Sequence, residues 1–155
     1  MSSNAGYWNK WKVACITLIA LMLVTSVFSA LRFLTDRAVE YSDIEDHFKY
    51  GSLGGERNLG IPYWIWMSVP RLCPELFPDR LPGDKGLESI GMLYEGDRTL
   101  PVGVSSRRHL GIDRVFMNCA VCHTSTYRTS EQSEPVMVLG MPANQFQLME
   151  FEKRF

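Results

Sequence analysis

The chain has 155 residues, 46% of them hydrophobic and 21% charged, with a net charge of −1. That is enough for one domain of ordinary size and too apolar for a disordered chain. The balanced charge gives no general pull toward nucleic acid or anionic lipid, and four cysteines do not make a disulfide framework.

Residues 1–12 form a polar tail interrupted by Tyr7, Trp8 and Trp11 and carrying Lys10 and Lys12. Val13 to Leu31 then runs 19 residues without a charge, and Arg32 ends it. As a helix over 13–34 this segment spans about 30 Å, the thickness of bilayer hydrocarbon, so it is expected to be a transmembrane anchor. The aromatic flank suits a membrane interface. The rival is a cleaved signal peptide, whose apolar core is usually about 7–15 residues and so shorter than this run. Either reading carries the remainder across a membrane. Residues 35–50 are expected to be a stalk helix, with Val39, Ile44 and Phe48 apolar at loosely helical spacing until Gly51, Gly54 and Gly55 break it.

Between 60 and 83 fall four aromatics and five prolines. Pro62 is placed to start a short helix, Tyr63 to Val69, and Pro70 to end it. The segment reads as aromatic packing over a core or a partner, or as an apolar surface at the membrane interface or over a cofactor edge. Ile90 to Ser105 reads as a hairpin around Glu95-Gly96-Asp97-Arg98, with Pro101 making its second strand an edge. Asp113 is expected to cap a helix from Arg114 to Cys122. A polar loop, Thr124 to Glu134, follows, and Pro142 opens a last helix, Ala143 to Phe155.

The strongest motif is Cys119-Ala120-Val121-Cys122-His123, the pattern of a c-type haem attachment. The two thiols become thioethers on the porphyrin vinyl groups. Two intervening residues let one turn hold both sulfurs at the vinyl spacing, and the histidine next along the turn binds iron. A redox dithiol needs only the two cysteines and gives no reason for His123. A zinc site needs four tetrahedral ligands. Adjacent Cys122 and His123 can hardly both reach one metal, and the chain has no second cysteine pair to complete such a site. Haem c is attached on the outer side of bacterial inner membranes, so the anchor and the motif agree. One covalent haem c is therefore expected on Cys119 and Cys122, with His123 as an iron ligand.

For the sixth ligand, Met141 stands in Gly140-Met141-Pro142, on a rigid turn after the motif. This triplet resembles the distal methionine loop of small cytochromes c. His109, an open position and a ligand from another chain are the alternatives, and burial as an ordinary apolar residue is the plain fate of a methionine. Arg107, Arg108 and Arg114 are candidates for the haem propionates, with a solvated basic turn as the plainer reading.

Only 32 residues follow His123, too few to wrap a haem in the usual class-I cytochrome order. The runs Leu59–Trp66, Leu100–Ser105, Asn118–Thr124 and Gly140–Gln145 together resemble the front part of large bacterial cytochromes c, the di-haem peroxidase and rubber-oxygenase group. The resemblance covers roughly residues 55–155. In that group a longer portion with a second haem motif follows, and this sequence has none. The resemblance implies either a truncated relative acting with other subunits or part of a longer polypeptide.

The fold expected is mainly α: a transmembrane helix, then a cytochrome c-like haem domain over 51–155 with Gly/Pro-rich loops and a small hairpin. The function expected is a membrane-anchored mono-haem cytochrome c. It would relay single electrons on the periplasmic side of the inner membrane, with redox protein partners in a membrane complex. The alternative is the haem-bearing part of a peroxidase- or oxygenase-like enzyme with an open distal site.

Overall fold

A computed structural model of the chain describes residues 4–77 and 84–154, with side chains from residue 9 onward. Residues 1–3 of the tail, Pro78 and Pro82 of the proline-rich segment, and Phe155 lie outside the described residues, as do the side chains of Tyr7 and Trp8. The chain divides into two units, Met1–Thr35 and Asp36–Phe155.

The first unit is one helix, α1 (Asn4–Phe33). Its stretch Asn9–Phe33 contains an 18-residue window with a mean hydropathy of 2.4 and is long and apolar enough to cross a membrane. The hydroxyls of Thr17 and Thr25 donate back to the carbonyls of Val13 and Leu21 at 2.9 and 3.0 Å, so these polar groups are satisfied inside the helix.

The second unit is mixed α/β rather than mainly α, and it does not show a cytochrome c fold. A four-stranded antiparallel sheet has the order β1-β3-β4-β2, from β1 (Asp36–Ala38), β2 (Ile61–Pro62), β3 (Val104–His109) and β4 (Ile112–Met117). A second antiparallel pair joins β5 (Thr124–Tyr127) to β6 (Val136–Leu139). Among the described residues the unit also holds three α-helices: α2 (Ile44–Tyr50), α3 (Tyr63–Leu72) and α4 (Leu148–Arg154).

Several sequence expectations are corrected here. The stalk over 35–50 is strand β1 followed by α2, whose N-terminus is capped by Asp43 accepting from the amides of Glu45 and Asp46. The turn Glu95–Arg98 forms, with Arg98 N donating to Glu95 O at 3.2 Å, but no strands flank it. The hairpin lies later, β3 against β4, around Leu110-Gly111. Residues 114–117, the start of the helix expected from Arg114 to Cys122, belong to β4, because pairing along β3 satisfies their backbone groups. The last helix starts at Leu148, five residues later than expected. Helix α3 begins at Tyr63 as expected and continues through Pro70 to Leu72. Pro70 lies in its final turn, where a missing N–H removes one bond and the helix ends two residues on.

Two apolar clusters form the core. Trp66, Phe77, Leu87, Ile90, Val104, Val115, Val121 and Phe151 belong to the larger one. Tyr50, Val102 and Ala120 make the smaller one, with Phe48, Leu93 and Met137 against it. Buried charges between elements are paired. Lys49 reaches Glu45 at 2.5 Å and Glu95 at 2.8 Å. Glu56, fully buried, accepts from the hydroxyls of Ser105 and Ser52. Burial raises the Glu56 pKa, but those hydroxyls and the Arg107 charge outweigh it and hold the carboxyl below its usual range.

Candidate cofactor-attachment site

Strand β4 ends at Met117 and delivers the chain to Asn118, whose side-chain oxygen accepts from Ala120 N at 2.9 Å and starts a short 3-10 turn, Cys119–Val121. Cys122 N and His123 N both donate to Cys119 O, at 3.2 and 3.0 Å. One turn therefore holds both cysteines and the histidine, as the motif requires, although it is a turn after a strand and not the end of a helix.

The turn is fixed from behind. Asn118 is nearly buried, and its amide nitrogen lies 3.0, 3.3 and 3.4 Å from the carbonyls of Gly51, Lys49 and Phe48. These carbonyls lie at the C-terminal end of α2, where helix carbonyls lack intrahelical partners. Gly103 sits under the turn in a left-handed conformation, φ +89°, and a Cβ there would lie 2.2 Å from Val121 N. Asn118 N donates to Gly103 O, and Gly103 N to Lys49 O, both at 2.8 Å. The motif, the end of α2 and the start of β3 are thus joined by backbone and amide bonds alone.

The five residues sort by side. Ala120 and Val121, the spacers, point inward, each into a different apolar cluster. Cys119, Cys122 and His123 are exposed, and both thiols are free. A cavity of about 300 Å³ opens nearby, lined by Leu59, Ile61, Trp66, Phe116, Met117 and Phe151, but none of the three outward residues lines it. Among the described residues no group of three or more His, Cys, Asp or Glu could hold a metal ion. A haem iron asks less of the protein, since the porphyrin supplies four ligands and His123 a fifth. Two free outward thiols on one turn, with the histidine following, fit the donor set of such a group.

Met141 is half-exposed. Its loop is pinned to the motif: Gly140 N donates to His123 O and Ala143 N to Cys122 O, both at 2.8 Å. The structure therefore brings Cys119, Cys122, His123 and the Met141 loop together. His109 is left out, because it begins at the far end of the β3–β4 hairpin. The six residues of β4 put it about 17–20 Å from the motif. The three arginines have local partners. Arg108 forks onto Asp113 at 2.8 and 2.7 Å, Arg107 meets Asp36 at 2.8 Å, and Arg114 donates to Arg57 O at 3.3 Å.

Asn118 and Gly103 are the positioning residues that sequence reasoning missed. Asn118 directly precedes the motif, which could have suggested a cap, but its partners lie 67 to 70 residues away. No protein-family model, curated protein or solved structure matches this chain.

Proposed function

We propose that the chain is a membrane-anchored mono-haem c-type cytochrome that passes single electrons. Cys119 and Cys122 would hold the porphyrin by thioether bonds and His123 would bind its iron. When bound, the haem supplies one-electron iron chemistry, while the chain's own residues supply ligation, position and exposure. The observation that carries the reading is the sorting of the motif: three reactive residues outward, two spacers inward, on a turn clamped by Asn118. Helix α1 supports attachment to a membrane, with the second unit on the periplasmic side.

The exposure of the motif also supports a site completed by another subunit. A group held there would lie beside the Met141 loop, which is pinned to Cys122 and His123, and would remain open to a redox partner. Met141 is the sixth-ligand candidate carried by this chain. A second reading, an open sixth position able to bind a small molecule, is favoured by one observation. The Met141 loop is tied to the backbone carbonyl of His123 itself, and this would leave His123 as the one residue of this chain holding the iron.

The test has two parts. The chain is produced with haem-attachment machinery, denatured, and extracted with acidified organic solvent. Haem should stay with the protein, and Cys119→Ala/Cys122→Ala should carry none; extractable haem in the parent refutes covalent attachment. Carbon monoxide is then added to the reduced protein. An unchanged spectrum fits a six-coordinate electron carrier, and a shifted one fits the open site. Met141→Ala should convert the first behaviour into the second if Met141 is the ligand.

A further inference from the structure

The tip of the β3–β4 hairpin carries an apolar pair in an unfavourable place. Its two-residue turn, Leu110-Gly111, has φ +50° and +74°. Positive φ at both positions is the type I′ geometry, which matches strand twist and favours Asn, Asp or Gly. A leucine there crowds its own Cβ against the following carbonyl. The backbone nevertheless holds Leu110 outward, 52% exposed, with Ile112 beside it at 41%.

The position of this tip along the chain gives the pair a use. Strand β1 begins at Asp36, which pairs with His109, the residue before Leu110. Helix α1 ends at Phe33. Three peptide steps, about 11 Å at full stretch, separate the end of the apolar helix from the strand residue opposite His109. The hairpin tip is therefore where the folded unit is tethered.

Charge completes the pattern. Arg37, Arg57, Arg107, Arg108 and Arg114 gather on this part of the sheet, with Arg37 opposite Arg108 and Arg107 opposite Arg114. They face three carboxylates: Asp36, shared by Arg57 and Arg107, Asp113 under Arg108, and buried Glu56. Five cations against three anions leave a local excess of positive charge in a chain whose net charge is −1.

We propose that the hairpin tip is a second membrane contact. With α1 across the bilayer, Leu110 and Ile112 enter the headgroup–acyl boundary, and exposed Arg37 and Arg108, paired across the strands beside the tip, meet lipid phosphates. Apolar side chains beside exposed arginines suit this interface, where phosphate answers the charge and the acyl boundary takes the apolar groups. The partner is a phospholipid surface, the one in which α1 lies, and the proposal rests on α1 spanning it.

The test uses the full chain in nanodiscs of phosphatidylcholine and phosphatidylglycerol. A photoreactive benzoylphenylalanine is placed singly at Leu110, at Ile112, at Phe28 within α1, and at Tyr127, which is 51% exposed on β5. After irradiation, lipid adducts are counted by mass spectrometry. Adducts are expected at Phe28 and, several-fold above Tyr127, at Leu110 and Ile112. Ile112 has ordinary strand geometry, so a turn distorted by the probe at Leu110 does not decide the outcome. Adducts at Phe28 with Leu110 and Ile112 no higher than Tyr127 overturn the proposal. No adducts at Phe28 overturn the spanning of α1, and the proposal with it.

Discussion

Removing the Asn118 side chain tests how the motif is held. In Asn118→Ala, Ala120 N loses its acceptor at 2.9 Å, and Gly51 O loses its donor at 3.0 Å. Lys49 O keeps a partner in Gly103 N, so it is not orphaned. Two buried backbone groups left unpaired, at about 1–3 kcal/mol each, put the loss near 2–6 kcal/mol. With a urea slope of about 2 kcal/mol/M, the unfolding midpoint should fall by about 1–3 M. The assay is a urea titration of the full chain in detergent micelles, followed by near-ultraviolet circular dichroism. Asn118→Asp sharpens the test. It keeps the oxygen that accepts from Ala120 but turns a second acceptor toward three carbonyls, so it should lose more than alanine does. An Asn118→Ala midpoint equal to the parent's at equal slope refutes the clamp. So does an aspartate variant more stable than the alanine one.

Gly103→Ala should be costly for a different reason: its Cβ would lie 2.2 Å from backbone at φ +89°, and the neighbour cannot yield without moving the motif. About 2 kcal/mol or more is expected, a fall of roughly 5–15 °C in a thermal melt. Acid should weaken the fold through Glu56 and Glu95, whose carboxyls are both held below the ordinary value of 4.5. For Glu95 the cause is chiefly the hydrogen bond from Lys49. Groups with lowered folded pKa values contribute stability that is present above the ordinary value and lost as pH falls through the folded one. Melting temperature should therefore drop below about pH 4.5, and Glu56→Gln, already less stable, should flatten that slope.

What could be read in the sequence depended on how local its cause was. Helix α1 shows as an uncharged run because lipid-length helices need nothing but composition. Helix α3 shows its start because Pro62 fixes the backbone there. The motif shows because its chemistry sits within five residues. Strands β3 and β4 did not show, since Ser105, Ser106, Arg107 and Arg108 alternate with nothing apolar. Their register is set by β1, which pairs 71 residues away through Asp36 and Arg107. Leu110 is not a turn signal, whereas Glu95–Arg98 carries ordinary turn chemistry and predicts the hairpin there instead. The mainly-α expectation followed from the haem motif and the cytochrome c resemblance; the helix expected after Asp113 is β4, and Asp113 pairs with Arg108 across the hairpin.

The inward spacers also bear on timing. Ala120 and Val121 are anchored in the core, so the turn takes its shape only once α2, β3 and β4 have come together. Folding nevertheless leaves both thiols at the surface. A group that bonds to Cys119 and Cys122 does not have to arrive while the chain is open. The finished fold presents both cysteines exposed on one hydrogen-bonded turn, so attachment can follow folding, with the entropy of ordering the turn already spent.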